Sequence, residues 1–142
     1  KLDYTIIGDS VNLTSRIEGL TKTYQCQIII SHETYIHVKE SICCRMLDNV
    51  MVKGKKKPIV IYEVIDEKQF VDEPLLEVIR LTEEAFQEYC RRKFESSIAL
   101  YHEILKVKPD DYLSRMFLER CNQYIRNAPP DDWNGAYVMT TK

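Results

Sequence analysis

The stretch "IIGDSVNLTSR", residues 6–16, holds the residue types most suggestive of chemistry. Ser10 follows Gly8-Asp9 after an apolar run, Asn12-Leu13-Thr14 fits a sugar-acceptor tripeptide, and Asn12 and Arg16 stand at i and i+4. A serine nucleophile needs a base within hydrogen-bond reach to take its proton. The histidines are His32, His37 and His102, and none has an aspartate three residues before it. Ser10 suits instead an N-cap, its hydroxyl accepting a free backbone N–H of the first helical turn. The acceptor tripeptide is common by chance. On a helix, Asn12 and Arg16 project from one face. An amide that can hydrogen-bond a sugar, beside a guanidinium that can grip phosphate oxygens, suits a nucleotide. A solvated helix face, with the arginine paired to a nearby carboxylate, is the plainer alternative.

The elements that would position these residues follow from periodicity. Residues 3–8, with Tyr4, Ile6 and Ile7 before Gly8, read as a strand. From Val11 the period changes: Leu13, Ile17 and Leu20 share one face of a helix running to about Tyr24. Residues 25–31 read as a second strand, whose unalternated Ile28-Ile29-Ile30 predicts burial on both faces. Ser31 can cap a short helix with Tyr35, Val38 and Ile42 inward. "CRMLDNVMVKG" and "PIVIYEVID" then predict two antiparallel strands, with Lys55, Lys56 and Lys57 at a solvated hairpin tip. The order β-α-β-α-β-β gives an α+β layer structure over residues 1–66.

A polar connector, 67–74, ends in Pro74, a good first-turn residue. Residues 75–142 then read as a helical segment with a C-terminal tail. Leu75, Ile79, Phe86 and Tyr89 line a first helix; Phe94, Ile98, Tyr101 and Leu105 a second; Leu113, Phe117, Cys121 and Tyr124 a third. "AFQEYCRRKFESSIALYHEILKVKPDD" resembles a tetratricopeptide repeat, so the segment is TPR-like. A lone repeat must pack its apolar face on something else, and Trp133 in the tail is expected to dock on the helices.

The chain's 142 residues are 44% hydrophobic and 30% charged, which fits a globular protein. A net charge of −2, with both signs interspersed, points to no nucleic-acid partner. No run approaches the roughly 18 apolar residues of a membrane span, and no membrane contact is expected. Cysteines 26, 43, 44, 90 and 121 lack CxxC spacing, so reduced thiols and a cytoplasmic setting are expected. The chain opens on Lys1 straight into β pattern, which reads as a piece of something longer, membrane-anchored if upstream domains provide the anchor.

"Gly-Asp-Ser" also resembles the opening block of GDSL-type esterases, but their late Asp-x-x-His is missing. "DYTIIGDSVNLTSRIEGL", then "IIIS" at 28–31 and "VMVKGKKKPIVIYEV" at 50–64, resemble the signature of class III nucleotidyl cyclases. The likeness covers roughly residues 1–66. It implies a partial, ferredoxin-like cyclase layer and the conversion of ATP to 3′,5′-cyclic AMP and pyrophosphate. By that resemblance Asn12 orients the ribose, and Arg16 binds the α-phosphate and stabilises charge building on it. Thr5 falls where the family reads the purine and favours adenine, and Lys53 falls where a family lysine reaches the β- and γ-phosphates. The plainer reading of Lys53 is a solvated strand-end lysine.

The family also holds two metal ions, Mg²⁺ or Mn²⁺, on two aspartates of an earlier block, which this chain lacks. No metal ligand is assigned here. The resemblance therefore implies the C-terminal half of a cyclase domain, inactive alone, completing a site at a head-to-tail homodimer interface with a second cyclase subunit. The alternative is a regulatory or interaction module that binds a protein partner through the helical segment, with the cyclase half as scaffold. Sheet edges bared by the missing strands would favour dimers or larger species.

Overall fold

The computed structural model describes residues 19–51 and 57–138. They divide into two compact units: the residues up to Val71 together with those from Ala136 onward, and Asp72–Gly135.

In the first unit residues 19–24 are helical (α1), followed by β1 (Ile29–Ser31), α2 (His32–Val38), β2 (Ile42–Met51) and β3 (Ile59–Glu67). A two-residue strand, β4 (Tyr137–Val138), closes the described sequence. The sheet order is β1-β3-β2-β4. β3 runs antiparallel to both β1 and β2, whereas β4 lies parallel to β2, with Val50 opposite Tyr137 and Met51 opposite Val138. A parallel neighbour demands a long crossover, and here the whole helical unit lies in the chain between β3 and β4.

Two register shifts shape the β2–β3 pair. Cys43 pairs with Asp66 and Cys44 with Val64, leaving Ile65 as the extra residue. Met46 pairs with Tyr62 and Asp48 with Ile61, leaving Leu47 as the extra residue on β2. Paired residues share a face and neighbours along a strand alternate. Met46 and Asp48 therefore lie on opposite faces, although they are two residues apart.

One face carries an apolar cluster of Ile30, Cys44 and Tyr62, joined by Met46, Val60, Val64 and, from α2, Tyr35 and Val38. The Tyr35 and Tyr62 rings stack 3.9 Å apart. Ile29 and Ile61 lie on the other face and are also buried, so the isoleucine run is enclosed from both sides as its sequence predicts. Ser31 caps α2 by accepting the Thr34 N–H at 3.3 Å. Ile42, expected on that helix, instead opens β2.

The second unit is three helices, α3 (Glu73–Cys90), α4 (Phe94–Val107) and α5 (Tyr112–Arg126). Asp72 caps α3 through the Leu75 N–H, with Pro74 in the first turn. Asp111 caps α5 through the Ser114 N–H. α4 packs on both neighbours, and the Ser97 hydroxyl donates to the Ala85 carbonyl at 2.8 Å, tying α4 to α3. The buried face of α3 is Val78, Leu81, Thr82, Ala85, Phe86 and Tyr89. The predicted stripe is rotated from this: Leu75 and Ile79 are only half-buried, while Val78, Leu81, Thr82 and Ala85 take buried positions. Ser97 and Ile104 likewise take the inner positions of α4, while Ile98 and Leu105 are half-buried.

Rings dominate this core. Tyr89 meets Phe117 edge-on at 5.0 Å and Trp133 at 5.3 Å, so the tail tryptophan does dock on the helices. Arg92 holds the tail from the other side. It sits in the left-handed region (φ 67°) just past α3. Its guanidinium donates to the carbonyls of Pro129 and Pro130 and lies 5.5 Å from the Trp133 ring.

Candidate functional site

Thr5, Asn12, Arg16 and Lys53, the four residues assigned to the nucleotide by the sequence reading, lie outside the described residues. The structure does describe what adjoins them in the chain: the end of α1, eight residues beyond Arg16, and the end of β2 at Met51, two residues before Lys53.

α1 is seated by Leu20 and Tyr24, both buried. Tyr24 is also tied down by a polar contact. Its hydroxyl donates to Asp48 Oδ2 at 2.6 Å, and Asp48 Oδ1 accepts the Asn49 N–H at 2.8 Å. Asp48 is fully buried. A buried carboxylate is costly unless its oxygens are bonded, and these two bonds engage both of them. The Leu47 bulge makes the contact possible by turning residue 48 away from the face that holds Met46.

Two further charged residues share the face of Asp48. Arg45, also buried, pairs across the ladder with Glu63. Both act on Cys26, just beyond α1: burial pushes its thiol up to about 12, the Glu63 carboxylate adds to the rise, and the Arg45 guanidinium opposes it. This face of the sheet is therefore polar at its centre, whereas the α2 face is apolar. On the α2 face the polar feature is a hydrogen bond of 2.9 Å between His32 Nδ1 and the Tyr62 hydroxyl.

The sequence reading did not single out Tyr24, Arg45 or Asp48. A signal was present: Arg45 and Asp48 interrupt the apolar pattern of "CRMLDNV" at positions where a plain strand would carry Val or Ile. Among the described residues, no three His, Cys, Asp or Glu side chains come together to hold a metal ion. All five cysteines are free thiols. No described helix is long and apolar enough to cross a membrane.

Comparison with known proteins centres on the sheet unit. Residues 1–65 match the family model of the adenylate and guanylate cyclase catalytic domain. The chain is 49% identical over 67 residues to an adenylate cyclase of Anabaena cylindrica, covering 45% of this chain and 13% of that protein. It is 32% identical over 130 residues to the terminal-differentiation-specific adenylate cyclase of Dictyostelium discoideum, covering 89% of this chain and 6% of that protein. The chain thus spans a small part of either relative. The crystal structure of the adenylyl cyclase CyaB from P. aeruginosa is 41% identical over 51% of this chain and 36% of that one, with a TM-score of 0.36.

Proposed function

We propose that the chain is part of a class III adenylate cyclase that converts ATP to 3′,5′-cyclic AMP and pyrophosphate. The observation that carries this is the family match over residues 1–65, which contains the whole "DYTIIGDSVNLTSRIEGL" motif. In this reading Asn12 orients the ribose, Thr5 reads the adenine edge, and Lys53 holds the β- and γ-phosphates. Arg16 carries the chemistry. As the 3′-hydroxyl attacks the α-phosphorus and pyrophosphate leaves, negative charge grows on the α-phosphate oxygens. A guanidinium already in place stabilises that charge most in the transition state. Removal of one such preorganised donor typically costs about 2.7–4 kcal/mol, or 10²–10³ in kcat.

The divalent ions of the reaction, Mg²⁺ or Mn²⁺, belong in this reading to aspartates that residues 1–66 do not supply. In the parent enzyme a second cyclase subunit would contribute them across a homodimer interface, and the chain by itself is inactive. The test is product formation from ATP and from GTP with Mn²⁺, by the chain alone and by the chain joined behind the metal-binding half of a related cyclase. Cyclic AMP from the joined protein only is the expected result. Cyclic GMP in its place would overturn the assignment of Thr5, and absence of both products would overturn the cyclase reading.

A second reading rests on the helical segment, most of which forms a compact unit of its own, Asp72–Gly135. The helical residues 75–142 then act as a TPR-like module that binds a protein partner. A partner retained by Arg16→Ala would support it.

A further inference from the structure

We infer that the tail from Ala128 to Val138 is a releasable strap. Its two anchors, Trp133 among the rings of the helical unit and β4 on the edge of β2, let go together while the helices and the rest of the sheet stay folded.

Each anchor lies within one unit, and each is incomplete. The first is Trp133. Its ring meets Tyr89, Phe94 and Tyr124 at 5.3, 6.0 and 5.4 Å, and its backbone N–H closes a turn on the Pro130 carbonyl at 3.0 Å. Contacts of this kind bury a large apolar area. Yet the indole Nε1 is buried with no hydrogen-bond partner among the described residues. An N–H buried in this way gives up its bond to water and gains none in return. The seat therefore holds the rings of the tryptophan and penalises its nitrogen.

The second anchor is β4. It is two residues long against the ten of β2, and both Tyr137 and Val138 are exposed. A strand so short brings few ladder bonds and little burial. Between α5 and β4 the tail forms no helix or strand of its own.

The link between the anchors is short and pinned. Asn134, Gly135 and Ala136 alone separate Trp133 from β4. Gly135 takes a left-handed φ of 86°, and a Cβ there would lie 3.1 Å from Cys90 Sγ at the end of α3. Ala136 is buried. A seated Trp133 thus presents β4 to β2 across four residues of chain. With Trp133 released, β4 hangs on the longer segment back to Arg126, the last residue of α5. Its effective concentration at β2 then falls about three- to fivefold. Linkage makes the effect reciprocal, so loss of β4 loosens Trp133 by the same factor.

The test is amide exchange followed by NMR on the full chain. It reads Trp133 at its backbone and indole N–H, the β4 amides, and Tyr101 and Phe117 in the helix interiors. In the parent, the strap sites are expected to exchange about tenfold or more faster than Tyr101 and Phe117. Tyr137→Pro together with Val138→Pro removes both β4 donors. It is expected to speed exchange at Trp133 about three- to fivefold and to leave Phe117 unchanged. Trp133→Ala removes the other anchor and is expected to speed β4 exchange by the same factor. Where Trp133→Ala also speeds Phe117, Arg92→Ala replaces it, because it frees the Pro129 and Pro130 carbonyls and keeps every ring; it is expected to move β4 in the same direction by less. Faster exchange confined to the altered anchor would overturn the coupling. Strap sites that exchange no faster than Phe117 in the parent would overturn the release.

Discussion

The two units bury polar groups for different ends. In the helical unit Asp111 and Ser114 serve a helix start, Thr82 bonds back to Val78 four residues earlier in its own helix, and Ser97 ties α4 to α3. Arg120, buried too, lies 4.4 Å over the Phe117 ring. The hydroxyls and carboxylate complete helices, and the rings around them supply the burial. In the sheet unit Asp48 and Arg45 complete no secondary structure, since their backbones are already paired in the ladder. Asp48 instead reaches from a strand to a helix. The helical unit reads as a scaffold built for cohesion, and the sheet unit as one in which burial is compromised for geometry.

The largest expected effect tests the cohesion side. Tyr89→Ala removes the ring that meets Phe94, Phe117 and Trp133. It should cost about 3–5 kcal/mol in denaturant unfolding of the helical unit. Amide exchange should rise across Asp72–Gly135 while β2 and β3 keep their protection; equal loss of protection in both would show that the two units unfold as one.

Next comes the geometric side. Tyr24→Phe removes the buried hydroxyl that bonds Asp48 and should destabilise the sheet unit by about 1–3 kcal/mol. The stability loss is thus smaller than that of Tyr89→Ala, and an inverse ranking of the two would break the comparison.

A smaller effect belongs to Arg92. Arg92→Ala loses the bonds to Pro129 and Pro130 and keeps the left-handed backbone; Arg92→Gly loses the same bonds but relieves that backbone. The alanine variant should therefore be the less stable by about 1 kcal/mol. Equal melting temperatures would show that the left-handed residue is not strained.

The smallest is a pH effect. Burial raises the Cys26 thiol from 9.0 to about 12 and the Cys44 thiol to about 11. For a raised pKa the stabilising contribution is intact below pH 9 and is lost as the pH climbs through the folded-state values, because the unfolded chain ionises first. The sheet unit should weaken between about pH 9 and 12. Below that range a thiol reagent should modify the exposed Cys90 before the half-buried Cys26 or the buried Cys44; faster labelling of Cys44 than of Cys90 would contradict its burial.

Much of the α+β order could be read from the sequence because it rests on local signals. The β2–β3 pair follows from the strand patterns on either side of the lysine-rich run 53–57, α2 from Ser31, and α3 from Pro74. What could not be read was non-local. The bulge at Leu47 depends on the register with β3, β4 depends on a partner some ninety residues earlier (Val50 against Tyr137), and the rotated faces of α3 and α4 depend on how the helices pack on one another. The candidate site was legible as a motif. Its four assigned residues lie outside the described part, and the polar contact that anchors the neighbouring helix shows only in the pairing of Tyr24 with Asp48.

The central claim is tested most directly by cyclic AMP formation from ATP in the completed enzyme, with and without Arg16. The account predicts that Arg16→Ala lowers kcat by about 10²–10³ while α2, β2 and β3 keep their amide protection. Retention of the parent rate by Arg16→Ala would contradict it.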